Sequence, residues 1–103
     1  MALIPEFFPD IAGFQWDEGN SSKNWKRHQV SQTEAEQVFL NRPVVVPAAP
    51  AQPENEARYR ALGRTGAGRL LVVVFTLRSS LLRVISARAM SRRERRDYAQ
   101  AIG

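Results

Sequence analysis

The sequence predicts an α+β fold: an antiparallel sheet with an N-terminal αα-hairpin packed on it and a helix at the C-terminus. Three observations predict it. Leu70–Leu77 is an unbroken apolar run rich in β-branched and aromatic residues, which suits a strand buried on both faces. Ser31-Gln32-Thr33-Glu34 and Ser91-Arg92-Arg93-Glu94 both read as helix starts. In each, the serine and the glutamate three residues on satisfy one another's free backbone N–H. The order of segments is strand, two helices, three or four strands and a final helix, which is that of helices packed on an antiparallel sheet.

Met1–Gly13 is apolar but punctuated by Pro5 and Pro9, and reads as an irregular arm ahead of one domain over 14–103. Phe14-Gln15-Trp16 alternates as a short edge strand does. Asp17 caps a helix that runs to about His28, with Asp17 and Glu18 at its start and Lys26, Arg27 and His28 at its end. Both placements complement the helix dipole. Gln29 and Val30 alone separate this helix from the next, hence the expected hairpin. Ser31–Leu40 carries an apolar stripe of Ala35, Val38 and Phe39, with Val30 and Ala35 at the staple positions. Pro43 prevents further helix.

Val44–Val46, between Pro43 and Pro47, fits an edge strand, since proline at both ends stops ladder extension. Ala48–Pro53 reads as a loop of polyproline character. Glu56–Leu62 alternates Arg58, Arg60 and Leu62 against Ala57, Tyr59 and Ala61, as a half-exposed strand does. Thr65-Gly66-Ala67-Gly68 is turn chemistry. Arg78-Ser79-Ser80 is polar enough to reverse the chain into a second strand, Leu81–Ala87. Uniform alternation puts Leu81, Arg83, Ile85 and Ala87 on one face and Leu82, Val84 and Ser86 on the other. In the last helix, Tyr98, Ala99 and Ile102 follow Arg95 at helical spacing and form the stripe expected to pack on the sheet.

The chain has 103 residues and a formal net charge of +5, from 15 basic and 10 acidic side chains. Only Lys23 and Lys26 are lysine. Arginine offers planar, bidentate contact to phosphate and stacks on bases, so an RNA, DNA or acidic protein partner is favoured over a neutral metabolite. There is no cysteine and one histidine, which excludes thiolate and multi-histidine metal sites. No cofactor is expected. No apolar run approaches the roughly 20 residues that span a bilayer, and Met1–Gly13 lacks the basic start of a signal peptide. The expectation is a soluble cytoplasmic protein.

Phe14-Gln15-Trp16-Asp17, Asn24, Lys26-Arg27-His28-Gln29-Val30, Glu34-Ala35 and Val38-Phe39 resemble the opening of the BrnT toxin family, with its FxWD start, K-H-G-V turn and E-A-x-x-V-F helix. Arg58-Tyr59, Leu62-Gly63-Arg64, Gly68 to Val73, Arg83 to Arg88 and Arg93-Glu94-Arg95 with Tyr98 look like its second half. The segment Arg83-Val84-Ile85-Ser86-Ala87-Arg88 followed by R-x-E-R-x-x-Y is the most specific part. The resemblance covers Phe14 to Tyr98. It implies a type II toxin, a metal-independent endoribonuclease of RelE-like fold that blocks translation. It also implies a BrnA-like antitoxin with a ribbon-helix-helix part, and binding of operator DNA only through the toxin–antitoxin complex. The chain departs from the family pattern in three places. Gln29 stands where the family has glycine, Ala48–Pro53 replaces a loop that carries acidic residues and often histidine, and Met1–Gly13 has no counterpart.

Cleaving RNA without a metal requires deprotonating the 2′-hydroxyl, stabilising the phosphorane and protonating the 5′-oxygen. For the second task the resemblance points to Arg64, Arg83 and Arg88, each able to donate bidentately to phosphate. Their alternative is a salt bridge to Glu54, Glu56 or Glu94. His28 alone has an ordinary pKa suited to proton transfer near neutrality, and its alternative is to stabilise a helix end. Tyr98 is a candidate acid or base by position, and its alternative is packing on the sheet. Lys26, Arg27, Arg69, Arg92 and Arg93 are candidates to hold the RNA backbone. Trp16 and Trp25 are candidates to stack on bases or to fill the core. A different class of function stays open: a catalytically degenerate module on the same fold, which binds RNA or antitoxin and cleaves nothing. An interaction protein whose arginines pair with an acidic partner is the third reading.

Overall fold

The computed structural model describes residues 13–16, 28–48, 58–78 and 81–102. Five strands and two helices lie among them: β1 Gly13–Gln15, α1 Gln32–Leu40, β2 Val44–Pro47, β3 Arg58–Arg64, β4 Leu70–Arg78, β5 Leu81–Ala89 and α2 Arg92–Ile102. The strands form one sheet in the order β1-β5-β4-β3-β2. The apolar run is the central strand β4, paired on both sides, and Leu71, Val72, Val73 and Phe75 are fully buried. All of the Met1–Gly13 arm but Gly13, which begins β1, most of the helix over 17–28 and most of the loop over 48–53 lie outside the described residues, so most of the hairpin's first helix does too.

The expectation of a purely antiparallel sheet is corrected at one edge. β1 runs parallel to β5, with Phe14 opposite Leu82 and Gln15 opposite Arg83. The chain leaves β1 at one edge and reaches β2 at the other by way of α1. It then returns across the sheet by antiparallel steps, which brings β5 beside β1 in the same direction. The expected short turns carry the inner pairings. Gly68, at φ +90, closes β3 onto β4 by donating from its N–H to the Thr65 carbonyl, a backbone shape that favours glycine. Only Ser79 and Ser80 separate β4 from β5, and Arg78 pairs with Leu81 across that link.

One face of the sheet is the main core. Ala61, Leu71, Val73, Phe75, Leu82, Val84 and Ala87 pack there with Ala35 and Val38 of α1. Phe39 meets Phe75 edge to face at 5.1 Å between ring centroids. The α1 capping box forms as its sequence predicts, with the Ser31 hydroxyl accepting from Glu34 N–H and the Glu34 carboxylate accepting from Ser31 N–H. A Cβ at Gly63 would lie 2.9 Å from Val38 Cγ1, so the missing side chain lets α1 sit close to β3.

Uniform alternation in β5 fails. Val74 pairs with Ser86 and Phe75 with Val84, which leaves Ile85 as a β-bulge. The extra residue resets the alternation. Ala87 therefore joins Leu82 and Val84 in the core instead of siding with Arg83. Arg88, expected past the strand end, lies within β5 opposite Val72, on the same face as Arg83 opposite Thr76. The α2 stripe is also narrower than expected. Tyr98 is buried, Ala99 is exposed and Ile102 is 48% exposed, because the helix meets the sheet mainly through Tyr98, packed in a small cluster with Val44, Leu62, Val72 and Met90.

Candidate nucleic-acid interface

Residues directly opposite in neighbouring strands project from the same side of a sheet. The register therefore assigns the face opposite the main core row by row. Arg58, Thr76, Arg83 and Gln15 form one row, and Arg60, Val74 and Ser86 the next. Leu62, Val72 and Arg88 follow, then Arg64 opposite Leu70. Five arginines thus share the face that α2 only partly covers. Adjacent strands are about 4.8 Å apart, so Arg58 and Arg83, separated by one strand, stand roughly 10 Å apart at the backbone. That spacing suits a polyanion crossing the strands.

Glu94, in the first turn of α2, holds this face together. Arg88 donates from Nη1 to Oε1 at 2.7 Å and from Nη2 to Oε2 at 2.8 Å. Arg60 Nη1 lies 3.6 Å from Oε2. The expected capping box is present as well: Ser91 N–H donates to Oε1 at 2.8 Å and the Ser91 hydroxyl accepts from Glu94 N–H. The Arg88 hydrogen bonds hold the Glu94 carboxyl down to about 2, against the upward pull of burial and with help from the Ser91 N–H. A depressed carboxyl contributes stability above its unfolded pKa, here near 4.5, and loses it as pH falls through the folded value. Thermal melts should show the parent losing stability relative to Glu94→Gln between about pH 4.5 and 2. Parallel curves over that window would mean that the ion pair does not stabilise the fold.

Two grooves flank Tyr98. One, of about 530 Å³, is lined by Val44, Val46, Arg60, Leu62 and Glu94. The other, of about 470 Å³, is lined by Leu40, Arg42, Arg64 and Ile102. Tyr98 therefore stands between Arg60 and Arg64.

The family model described as the ribonuclease toxin BrnT of type II toxin–antitoxin systems matches residues 16–94. The chain belongs to the BrnT family. The crystal structure of the Brucella abortus ribonuclease toxin BrnT is similar, with a TM-score of 0.59 and 26% sequence identity. The match covers 78% of this chain and 97% of that one. No curated protein matches the chain by sequence.

Against the site that the BrnT resemblance implied, the structure brings Arg83 and Arg88 to one face and adds Arg58 and Arg60, neither of which was a candidate site residue. Arg64 shares the face but lies beyond Tyr98. The salt-bridge alternative holds for Arg88 through Glu94. Tyr98 is only 5% exposed, which supports packing over proton transfer. Arg92 and Arg93 are exposed in the first turn of α2, where free backbone N–H groups also favour phosphate. Lys26, Arg27 and Trp25 lie outside the described residues.

His28 and Arg69 belong to the other side of the sheet. Arg69 donates to the carbonyls of Gln29 at 2.8 Å and His28 at 3.2 Å, and pairs with Glu34 at 3.1 Å. Gln29, at the family's glycine position, has φ +53, a left-handed shape that disfavours a side chain. Arg69 thus clamps a turn that glycine would adopt without strain. Arg69, a candidate to hold the RNA backbone, has its guanidinium engaged within the chain. Trp16 is likewise structural, part-buried against the main core and donating from Nε1 to Glu36 at 2.7 Å.

Proposed function

We propose that this chain is a metal-independent endoribonuclease toxin that acts on RNA through the arginine face and thereby inhibits translation. The observation that carries the reading is the register that gathers Arg58, Arg60, Arg83 and Arg88 on one side of a rigid sheet. The phosphate closest to these side chains gains charge as the 2′-oxygen attacks, and fixed guanidinium groups stabilise that charge without rearranging. Arg83 and Arg88 take this role, while Arg58, Arg92 and Arg93 hold the flanking backbone. The reading treats 14–103 as one RelE-like toxin domain in the cytoplasm. A BrnA-like antitoxin with a ribbon-helix-helix part neutralises it, and the complex, not the toxin alone, binds operator DNA.

The test is incubation of purified protein with labelled single-stranded RNA, with and without EDTA, beside a translation extract containing ribosomes. Cleavage that persists in EDTA and stops translation is the expected result. Cleavage lost in EDTA would exclude the metal-independent mechanism.

The burial of Tyr98 and the position of His28 away from the arginine face favour a second reading, a degenerate toxin that binds RNA without cutting it. In that case binding falls steeply with salt and the strand stays intact in both assays.

A further inference from the structure

We infer that Glu94 is a positioning residue for RNA cleavage, gripping the outer end of the Arg88 guanidinium so that its Nε/Nη2 edge is presented to a substrate phosphate. The inference rests on the arginine face being the site of cleavage. A guanidinium has five N–H donors in a fixed fork. Nη1 of Arg88 gives one hydrogen to Glu94 Oε1 and one to the Ala89 carbonyl at 3.2 Å, and Nη2 gives one to Oε2. The two remaining donors, Nε–H and the second hydrogen of Nη2, lie side by side on one edge. Among the described residues no acceptor meets that edge. Two parallel N–H groups match two oxygens of a phosphate.

Glu94 is itself fixed. Its side chain is 12% exposed, its Oε1 accepts from Ser91 N–H, and its Oε2 faces Arg60. The low carboxyl pKa keeps it ionised wherever RNA is stable. A carboxylate beside a phosphate site opposes binding by charge, yet here it fixes the direction of the cation that the phosphate needs. Removing its charge should therefore separate binding from cleavage.

Glu94→Gln makes that separation, because glutamine at this position still closes the capping box while the ion pairs to Arg88 and Arg60 are lost. Ser91→Ala is the converse variant, losing the cap and keeping the ion pairs. Affinity is read with an RNA carrying a 2′-deoxy scissile position, and cleavage is read in a single turnover at saturating RNA. The expected result for Glu94→Gln is unchanged or tighter affinity with cleavage slowed about 100-fold, the scale of a catalytic group displaced by an ångström. Ser91→Ala should cleave at nearly the parent rate after correction for folded content. If Glu94→Gln cleaves like the parent, or if its loss merely follows its melting temperature as for Ser91→Ala, the positioning role is overturned. A parent protein that cleaves no RNA in any assay overturns the proposed function and this role with it, whereas cleavage lost in Arg88→Ala but kept in Glu94→Gln overturns this role alone.

Discussion

Arg88→Ala is expected to slow RNA cleavage by about 10²–10³-fold, the range found when one fixed donor to a developing oxyanion is removed. Arg83→Ala added to it should bring cleavage close to background. The two arginines share a face because of the bulge at Ile85, and both would donate to the same phosphorane, so their losses should be less than additive. The fold should survive. Glu94 keeps Ser91 N–H at 2.8 Å and Arg60 at 3.6 Å, and the main core lies on the other side of the sheet. The cost to stability is that of a charge-assisted hydrogen-bonded pair, about 1.5–3 kcal/mol. Single-turnover cleavage at equal folded content, set by circular dichroism, is the measurement. Arg88→Lys sharpens it, since lysine keeps the charge but has no planar fork. It should bind RNA nearly as the parent does and cleave little better than the alanine variant. Full activity in Arg88→Ala would remove this residue from the chemistry.

The features legible in the sequence were those set within a few residues. The capping boxes at Ser31 and Ser91, the Gly68 turn, the edge strand that follows Pro43 and the buried run of β4 all follow from local sterics and local hydrogen bonds, although that edge strand runs on through Pro47, which pairs with Tyr59. Features that depend on distant pairing were not legible. The bulge at Ile85 leaves no mark in an evenly alternating stretch, and without it Arg83 and Ala87 fall on one face. The parallel pairing of β1 arises from the path of the whole chain around α1. The alternation of Arg58 and Arg60 was visible, but only the register places them in line with Arg83 and beside Arg88. Arg69 sits in a family-like motif, and nothing nearby shows that Glu34, 35 residues away, receives its guanidinium. Glu94 was legible as a capping residue, while its hold on Arg88 and Arg60 depends on α2 lying over the arginine face.

Phe75→Ala should have the largest effect on stability, about 3–5 kcal/mol, as for other large aromatic side chains removed from a packed core. Phe75 lies in the central strand with no exposed surface. Its ring is stacked on Tyr59 at 5.5 Å and meets Phe39 edge to face at 5.1 Å. Truncation removes both ring contacts and opens a cavity between β4 and α1. Phe39 and Tyr59 reach the site from separate elements, so neither can fill the space without breaking its own packing. A loss of this size is a large part of the 5–15 kcal/mol that holds a typical domain together. Chemical denaturation should show a lower midpoint with an unchanged slope. The same variant also tests how far the two faces of the sheet are independent. Its folded fraction should still cleave RNA at close to the parent rate, because the arginine register is set by backbone pairing rather than by the ring beneath it. If cleavage instead falls well below what the folded fraction accounts for, the core under β4 also sets the positions of Arg83 and Arg88, and the arginine face is not an independent unit.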